Sequence, residues 1–347
     1  ISVGAGTPFE YAIRGALLPL NQFEGFEELK KSYIDDAFNP YLYKGNYYAF
    51  PETQSWVALF YRTDIIVDEL QLDPPDTWED VYEMLPVLQE KGYDFYYPYA
   101  PGNYIPFLFQ HGGNVYDEHA MTSSLDTVEA YNAFKEYADL YIKYKIPYAA
   151  NFYQRFRNGT IPIGIDGHGF FSQLMVAAPE LKGKWDMAPI PGHKLSDGSV
   201  VRYAGGLGTC SIIISSTEYP EEAWKFIQWW SSDEVQTQYG QEVEATFGVA
   251  SRWNPANVEA LKTLPYTEKE MSVILEQWSH FKEAHNTLGG YYTHRYLNTA
   301  LNQTILQGKN ARIALEDAVK EINKEMLRKQ KEFGITDSVL YPSDSSN

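Results

Sequence analysis

Short apolar segments alternate with amphipathic, capped segments along the chain, and this alternation limits the fold more than any other feature. Residues 54–61 form a near-continuous apolar run, which is typical of a strand buried on both faces. Residues 210–214 form a second run of this kind. Thr77 and Asn310 each stand in the N-cap position before a helical apolar stripe. The pattern therefore predicts an α/β protein.

Local signals predict further boundaries. The turn residues 44–46 predict a hairpin, and the alternating residues 161–165 predict a strand that ends in a loop at 166–169. Pro220 is predicted as the first residue of a helix, because proline fits that position. Capping boxes are predicted at Asp126 with Glu129 and at Ser231 with Glu234.

Length and charge exclude several classes of protein. The chain has 347 residues, which favours two domains at about 150 residues each. Its formal net charge is −18 without a basic stripe, so nucleic acid is excluded as a partner. No uncharged apolar stretch reaches the ~18 residues that a membrane span needs. The single cysteine, Cys210, lies in an apolar run, which predicts a buried thiol and excludes an internal disulfide.

Aromatic residues make up 16% of the chain, and 28 of them are tyrosines. A tyrosine ring has an apolar face and a polar tip, so it suits half-exposed surfaces and contacts with sugar rings. The composition favours carbohydrate recognition, with an aromatic-rich core as the alternative.

Motifs of catalysis and metal binding are absent from the sequence. It contains neither a Gly-x-Ser-x-Gly elbow nor a His-Glu-x-x-His pair. Its seven histidines are dispersed, and His280 and His285 would lie on different helical faces. The sequence therefore predicts no metal site and no cofactor.

The glycines at 205, 206 and 208 follow a tyrosine and precede a predicted strand. A phosphate loop needs the opposite order and a lysine. These glycines are interpreted as positions where the backbone bends beside a ligand or a hinge.

A glycoside hydrolase is the alternative from a different class. It needs two carboxylates at about 5–9 Å beside an aromatic cleft. Glu52, Asp166, Glu242 and Glu244 lie near loop positions, and a pair among them stays possible. With 46 acidic residues, however, an accidental pair near a cleft is expected.

Four stretches together resemble the family 1 extracellular solute-binding proteins of bacterial ABC importers, the maltose-binding-protein-like group. Each motif alone is weak, but their order and spacing extend over nearly the whole chain. The stretches are residues 49–51 with 58–65 and 75–79; residues 110–117; residues 156–159 with 165–167 and 188–192; and residues 205–206 with 220–226.

The resemblance implies a type II periplasmic-binding-protein fold. Two α/β lobes would be joined by crossing hinge strands, with the ligand cleft between them. The family's usual opening segment before Gly15–Leu20 is not found in this sequence, so the first lobe is expected to be incomplete at its N-terminus. The implied boundaries are 1–55 plus 209–270 for the first lobe, 56–208 plus 271–335 for the second, and 336–347 for a flexible tail.

The resemblance also implies a function. The chain would be a monomeric, non-enzymatic binding component that captures a carbohydrate, expected to be an oligosaccharide, and delivers it to the transmembrane permease subunits. It would work in the periplasm or on the outer face of the cytoplasmic membrane. A lipid anchor would be attached through a cysteine outside this sequence.

The family's cleft is lined by loops at the carboxyl ends of strands, and the resemblance carries this over to specific positions. Trp56, Tyr104, Tyr292 and Arg295 also fit ordinary core or surface roles, and that alternative stays open. The predicted ligand-binding residues are Gly6, Thr7, Glu52, Gln54, Ser55, Trp56, Asn103, Tyr104, His168, Phe171, Tyr203, Gly206, Tyr292 and Arg295.

Overall fold

The computed structural model describes residues 1–206 and 208–335. The predicted tail, residues 336–347, lies outside the described residues. The strands are β1 Ser2–Gly4, β2 Leu42–Tyr43, β3 Asn46–Tyr47, β4 Phe50–Pro51, β5 Val57–Arg62, β6 Phe95–Tyr96, β7 Ile163–Gly167, β8 Trp185–Ala188, β9 His193–Lys194, β10 Val200–Val201 and β11 Thr209–Ser211.

Helices dominate the rest of the described chain. The α-helices are α1 Pro8–Ala12, α2 Phe26–Lys30, α3 Trp78–Glu90, α4 Pro101–Gln110, α5 Val128–Ile142, α6 Phe152–Arg157, α7 His168–Ala177, α8 Pro220–Trp230, α9 Asp233–Phe247, α10 Val258–Lys262, α11 Glu268–Ser279, α12 Tyr291–Ile305 and α13 Ala311–Glu332. Short 3-10 turns occupy Leu20–Gln22, Asp35–Tyr41, Pro179–Leu181 and Val249–Ser251, and a π-helical turn occupies Asp64–Glu69. Among the described residues, no helix is both long and apolar enough to cross a membrane.

A three-stranded antiparallel sheet with the order β1-β11-β4 forms the centre of one lobe. We name this sheet, together with α1, α2 and α8, the small lobe. Its core contains a cluster of aromatic rings that includes Phe26, Phe38, Phe50 and Trp224. Cys210 of β11 is buried, as predicted, and burial raises the pKa of its thiol to about 12.

A four-stranded sheet with the order β6-β7-β5-β8 forms the centre of the other lobe, which we name the large lobe. Successive residues of β5 enter different cores. Leu59 and Tyr61 pack into the cluster beneath α3, α4, α5, α12 and α13. Ala58 and Phe60 pack into the cluster beneath α6, α7 and α11. The predicted strand buried on both faces is therefore confirmed.

Two segments connect the sheets side by side. Residues 52–56 lead from β4 to β5, and the chain returns through the glycine-rich stretch that precedes β11. The Glu52 N–H donates to the Thr209 carbonyl oxygen at 2.9 Å, and the hydroxyl oxygens of Thr53 and Thr209 lie 2.9 Å apart. The lobes are thus joined by hydrogen-bonded, extended backbone, the arrangement of a hinge.

Contacts also cross this junction elsewhere. Leu261 and Leu264, which the predicted boundaries assign to the first lobe, pack into the large-lobe cluster with Ala37 and Trp56. The boundary at residue 270 stays a prediction.

Several predicted boundaries are confirmed. Turn residues 44–46 join β2 to β3, and Pro220 begins α8. Thr77 caps α3 in a capping box with Asp80, and Asn310 caps α13.

Other boundaries were wrong by small shifts. The caps of α5 and α9 are Thr127 and Ser232, one residue after the predicted ones, because these hydroxyls accept from the third residue beyond them. The predicted loop at 166–169 is absent: β7 continues to Gly167 and α7 begins at His168. β11 ends at Ser211, earlier than predicted.

Candidate ligand-binding site

A cavity of about 700 Å³ lies between the two lobes. The small lobe contributes the turn after β1 and the start of α1. The large lobe contributes the end of β7 and the N-terminal parts of α4 and α12. Residues 204–206 and 282–287 line the cavity where the lobes meet. Its volume falls within the range of about 300–1,000 Å³ that is usual for small-molecule sites.

The small-lobe wall follows from a turn after β1. The Ala5 N–H donates to the Gly208 carbonyl oxygen at 3.1 Å. Pro8 then begins α1, where its restricted φ favours the first helical residue. This geometry brings Gly6 and the carboxylate-bearing Glu10 to the cavity.

The end of β7 forms part of the opposite wall. Burial raises the pKa of the Asp166 carboxyl, and a hydrogen bond from the Gly167 N–H at 2.7 Å partly offsets that effect. Burial and the nearby Arg252 guanidinium lower the pKa of His168 to about 4, so its imidazole is neutral at pH 7. The Nε2 atom of His168 is buried without a hydrogen-bond partner among the described residues. An acidic group and a neutral imidazole therefore lie together at this wall.

Residues 282–287 connect the cavity to the small lobe. The Asn39 side-chain amide donates to the Glu283 carbonyl oxygen at 3.1 Å. The Asn286 amide donates to the Pro40 carbonyl oxygen at 2.8 Å. The segment leads from α11 to α12 of the large lobe, so these bonds tie the two lobes together beside the cavity.

Two titratable side chains of this segment are buried to a large extent. The Lys282 ammonium lies 4.7 Å from the centroid of the Phe109 ring, and burial lowers its pKa. The Glu283 Oε1 atom accepts a hydrogen bond from the Gly206 N–H at 2.7 Å. Burial still raises the pKa of Glu283 to about 7, so this carboxyl is partly protonated at neutral pH.

Glycines allow the connecting segments to approach each other. A Cβ atom on Gly206 would overlap the carbonyl oxygen of Ser55, and one on Gly208 would overlap that of Thr53. At Gly205 it would overlap the Glu283 carboxyl. These positions therefore require glycine for close backbone approach rather than for phosphate binding.

Three helices of the large lobe begin at the cavity without a side-chain cap. The N-cap residues of α4, α7 and α12 are Ala100, Gly167 and Gly290, and none of them makes a capping bond. By contrast, the hydroxyls of Thr77 and Thr127 cap α3 and α5. Pro101 has no N–H, and the N–H groups of Asn103, Tyr292 and Thr293 donate to carbonyl oxygens of the preceding turns. Only the remaining first-turn N–H groups are therefore left as backbone donors close to the cavity.

The structure brings some of the predicted residues together at this cavity. Asn103 is held there because its amide donates to the Pro98 carbonyl oxygen at 2.8 Å. The predicted residues that line the cavity are Gly6, Ser55, Asn103, His168 and Gly206.

Three of the predicted aromatic residues lie in the core instead. Trp56 and Phe171 are fully buried in the cluster beneath α6 and α7. Tyr104 is also fully buried, and its hydroxyl donates to the Ala130 carbonyl oxygen at 3.0 Å. Packing accounts for the aromatic character of all three, and a ligand role for them stays a prediction.

Glu52 and Gln54 lie in the connecting segment. The Glu52 carboxylate accepts hydrogen bonds of 2.5 Å from the hydroxyls of Ser2 and Ser211. The Gln54 N–H donates to the Asn254 carbonyl oxygen at 3.1 Å. The Glu52 carboxylate thus braces the small-lobe sheet, and a ligand role for Glu52 and Gln54 stays a prediction.

The other four predicted residues also stay outside the cavity lining. Thr7 precedes α1, and Tyr203 packs against the large-lobe core. Tyr292 stacks on Tyr291 with ring centroids 4.0 Å apart, and it is Tyr291 that lines the cavity. Arg295 is exposed on α12. A ligand role for these residues stays a prediction.

Several lining residues were missed by the sequence interpretation. Residues 282–287 form an irregular stretch after α11 and carry no periodic pattern or motif. Glu10 and Tyr116 likewise stand in no recognisable pattern. Asp166 did carry a signal, since a polar residue that ends a buried strand points to the cleft edge.

Comparison with known proteins identifies the relatives of this chain. A family model described as bacterial extracellular solute-binding protein matches residues 4–257. The chain belongs to this family. The resemblance inferred from the sequence motifs is therefore confirmed. Among curated proteins, none matches this solute-binding protein.

Solved structures with the same fold include sugar-binding proteins. The sugar-binding protein MalE from Xanthomonas citri superposes with a TM-score of 0.79 at 18% identity, covering 96% of this chain and 85% of that one. An ABC transporter solute-binding protein from Thermotoga lettingae, bound with α-D-tagatose, has a TM-score of 0.72 at 21% identity, covering 94% and 84%. The GacH receptor of Streptomyces glaucescens has a TM-score of 0.73 at 17% identity, covering 94% and 83%. The two-lobed periplasmic-binding fold is thus confirmed.

Family membership carries two coarse conclusions. The family consists of binding proteins rather than enzymes, and it functions outside the cytoplasm.

Proposed function

We propose that this solute-binding protein captures a carbohydrate, with an oligosaccharide as the preferred class, in the cavity between its lobes. It then delivers the sugar to the membrane subunits of an ABC importer. The observation that carries the proposal is the mixed lining of a cavity of about 700 Å³, which contains both aromatic rings and hydrogen-bonding groups.

The chemistry of the lining suits sugar hydroxyls. Asp166 and Asn103 provide acceptors and donors, and Lys282 adds a cation. Tyr116 and Tyr291 provide ring faces for the C–H side of a pyranose. The uncapped start of α7 and the first-turn N–H groups of α4 and α12 that remain unbonded add backbone donors. A site built from aromatic faces and a few convergent polar groups is the usual form of a small-molecule site.

Solved structures with this fold support a carbohydrate. Besides the tagatose complex, the GacH receptor has been crystallised with acarbose, and a Listeria monocytogenes substrate-binding protein with cycloalternan. These ligands range from a monosaccharide to a cyclic oligosaccharide, so they support the ligand class without selecting one sugar.

We further propose that the lobes close on the ligand as rigid bodies. The proposed boundaries remain 1–55 plus 209–270 and 56–208 plus 271–335. The side-by-side segments at Thr53 and Thr209 would serve as the hinge. The protein would act as a monomer, held at the outer face of the membrane by a lipid attached to a cysteine outside this sequence.

The experiment is calorimetric titration with a panel of mono- and oligosaccharides, followed by chromatography of the same mixtures. We expect one sugar class to bind with a stoichiometry of one and to be recovered unchanged. Release of new reducing ends that disappears in Asp166→Asn would show a hydrolase and overturn the proposal. Absence of binding to every sugar in the panel would overturn the carbohydrate assignment.

Two variants locate the site. Asp166→Asn is expected to weaken sugar binding by about tenfold or more, because hydrogen bonds to charged groups contribute roughly 1.5–3 kcal/mol. Tyr291→Ala is expected to weaken it by about threefold to tenfold through loss of ring contact. Tyr219→Ala is the matched control, since Tyr219 is exposed at the N-cap position of α8 and does not line the cavity. Equal affinity in all three variants would place the site elsewhere.

A further inference from the structure

A compact group of two histidines and a glutamate lies in the large lobe, outside the cavity lining. His111 follows the last turn of α4, Glu136 lies in the middle of α5, and His193 begins β9. One potential ligand atom from each residue lies within 4.8 Å of the others. Three separate elements therefore converge on one point.

The geometry around the carboxylate is that of a ligand set. The Nε2 atom of His111 lies 2.6 Å from the Glu136 Oε2 atom, and the Nε2 atom of His193 lies 3.1 Å from the same oxygen. Ligand atoms around a tetrahedral ion with bonds of about 2.0–2.2 Å are a little over 3 Å apart. Shifts of some tenths of an ångström would thus make room for an ion.

His193 supplies an independent observation. Its Nε2 atom is buried and forms no hydrogen bond of good geometry, although it lies close to the Glu136 carboxylate. A buried nitrogen that faces a carboxylate in poor hydrogen-bond geometry calls for an explanation. A metal ion bound to the nitrogen lone pair would satisfy it.

The surroundings fit the support that metal ligands receive. The Tyr82 hydroxyl donates to the second oxygen of Glu136, Oε1, at 2.5 Å, which fixes the carboxylate orientation. Outer partners of this kind commonly orient the carboxylates that bind metals. The His111 and His193 side chains are 23% and 12% exposed, so solvent can supply a further ligand.

We propose that His111, Glu136 and His193 bind a divalent transition-metal ion, with Zn²⁺ as the best match. Two imidazole nitrogens and one carboxylate oxygen, completed by water, are a donor set that zinc accepts. The site would tie the hairpin of β9 and β10 to α4 and α5. Since α4 also carries Asn103 to the cavity, the ion would brace one wall of the ligand site.

The sequence alone predicts no metal site, because the three residues are far apart and share no motif. The proposal is independent of the sugar assignment, since it concerns other residues and another ligand. Its failure and the failure of the carbohydrate proposal can therefore be told apart.

The test is titration of the chelator-treated full chain with Zn²⁺ by calorimetry and with Co²⁺ by visible absorption. We expect one equivalent of each to bind, with a Co²⁺ band typical of low coordination number. His193→Asn and Glu136→Gln are expected to weaken Zn²⁺ binding by about tenfold or more, with loss of the Co²⁺ band. Zn²⁺ is also expected to raise the melting temperature of the wild-type chain but not that of these two variants.

His119→Asn is the matched control, because His119 forms another histidine–carboxylate pair, 3.3 Å from Glu118, outside the proposed ligand set. It should bind Zn²⁺ like the wild type. Circular dichroism confirms that each variant is folded, and His111→Gln provides a second, milder substitution. Unchanged Zn²⁺ binding in folded His193→Asn and His111→Gln, or no binding to the wild type, would overturn the proposal.

Discussion

The small lobe and the large lobe are stabilised in different ways. Strands of the small-lobe sheet have two or three residues, whereas β5 has six and β7 has five. Aromatic packing takes the place of a long ladder in the small lobe: the Phe50 ring lies 4.9 Å from Tyr33 and 5.2 Å from Phe38, centroid to centroid. The difference teaches that side-chain packing, more than strand pairing, stabilises the small lobe.

Helix caps show the same contrast. No side-chain capping bond is present in α1, α2 or α8 of the small lobe. In the large lobe, α3, α5, α6 and α13 begin with a capping side chain, and the uncapped exceptions begin at the cavity. The contrast is confined to these three helices, because α9 and α10, which the proposed boundaries place in the same lobe, are capped by Ser232 and Asn257. The helices α1, α2 and α8 therefore depend on docking, without local support from a capping side chain.

The largest expected effect comes from Phe50→Ala. Removal of this fully buried ring is expected to cost about 3–5 kcal/mol of small-lobe stability. Urea denaturation, followed by circular dichroism and tryptophan fluorescence, should then separate into two transitions, with the small lobe unfolding first. Phe134→Ala in the large-lobe core is the counterpart. If Phe50→Ala only shifts one shared transition, the lobes are not separate units of stability.

The next effect tests the junction through pH. The pKa of Glu283 is raised from its ordinary value of 4.5 to about 7 in the folded protein. Because folding raises the pKa of Glu283, the stability that this carboxyl contributes to the folded protein is fully present below about pH 4.5. That stability is lost as the pH rises to about 7. The loss is roughly 3 kcal/mol from the rule of 1.4 kcal/mol per pKa unit.

Denaturation of the wild type and Glu283→Gln between pH 4.5 and 8 checks this expectation. The wild type should lose stability over that interval more steeply than the variant, whose side chain cannot titrate. Parallel pH curves for the two proteins would show that Glu283 titrates as in an unfolded chain.

A smaller effect is expected from Gly206→Ala. The added methyl group overlaps the Ser55 carbonyl oxygen, so the connecting segments must separate, at about 1–3 kcal/mol. Gly4→Ala is the control, because a Cβ atom there meets open space. Thermal denaturation should show a loss only for Gly206→Ala, and sugar affinity should fall with it. A normal melting temperature would mean that the junction tolerates a wider spacing.

The smallest effects concern the caps. Thr77→Ala is expected to lose about 1 kcal/mol, whereas Tyr219→Ser should gain about 0.5 kcal/mol by providing α8 with a cap. Chemical denaturation of both variants measures the difference. If Tyr219→Ser gains nothing, docking alone determines where α8 begins.

The helices and strands of this fold could be predicted from the sequence, whereas the ligand site could be predicted only in part. The apolar run at 54–61 predicts β5 because burial on both faces leaves little choice of residue. The caps at Thr127 and Ser232 were misplaced by one residue because neighbouring polar side chains are equally able to cap, and tertiary packing selects one. Trp56 and Tyr104 illustrate a second limit: aromatic residues serve a core and a sugar site equally well, and only the fold distinguishes them.

Sites assembled from distant segments were beyond the sequence. Lys282 and Glu283 lie in an irregular stretch whose place depends on hydrogen bonds to residues 39 and 40 of the other lobe. His111 and His193 meet only after α4, α5 and the β9 hairpin have packed. No local sequence pattern predicts these contacts between residues that are far apart in the sequence.

The pairing of β1 with β11 has a consequence for biosynthesis. Ser2 is paired with Ser211, so the edge strand of the small lobe must wait until its central strand has been synthesised. At about 5–20 residues per second, that wait lasts on the order of ten seconds or more. Until then β1 cannot form its pairing with β11, so the small-lobe sheet closes late, and a sheet that is still open leaves its segments free to be threaded through a narrow channel.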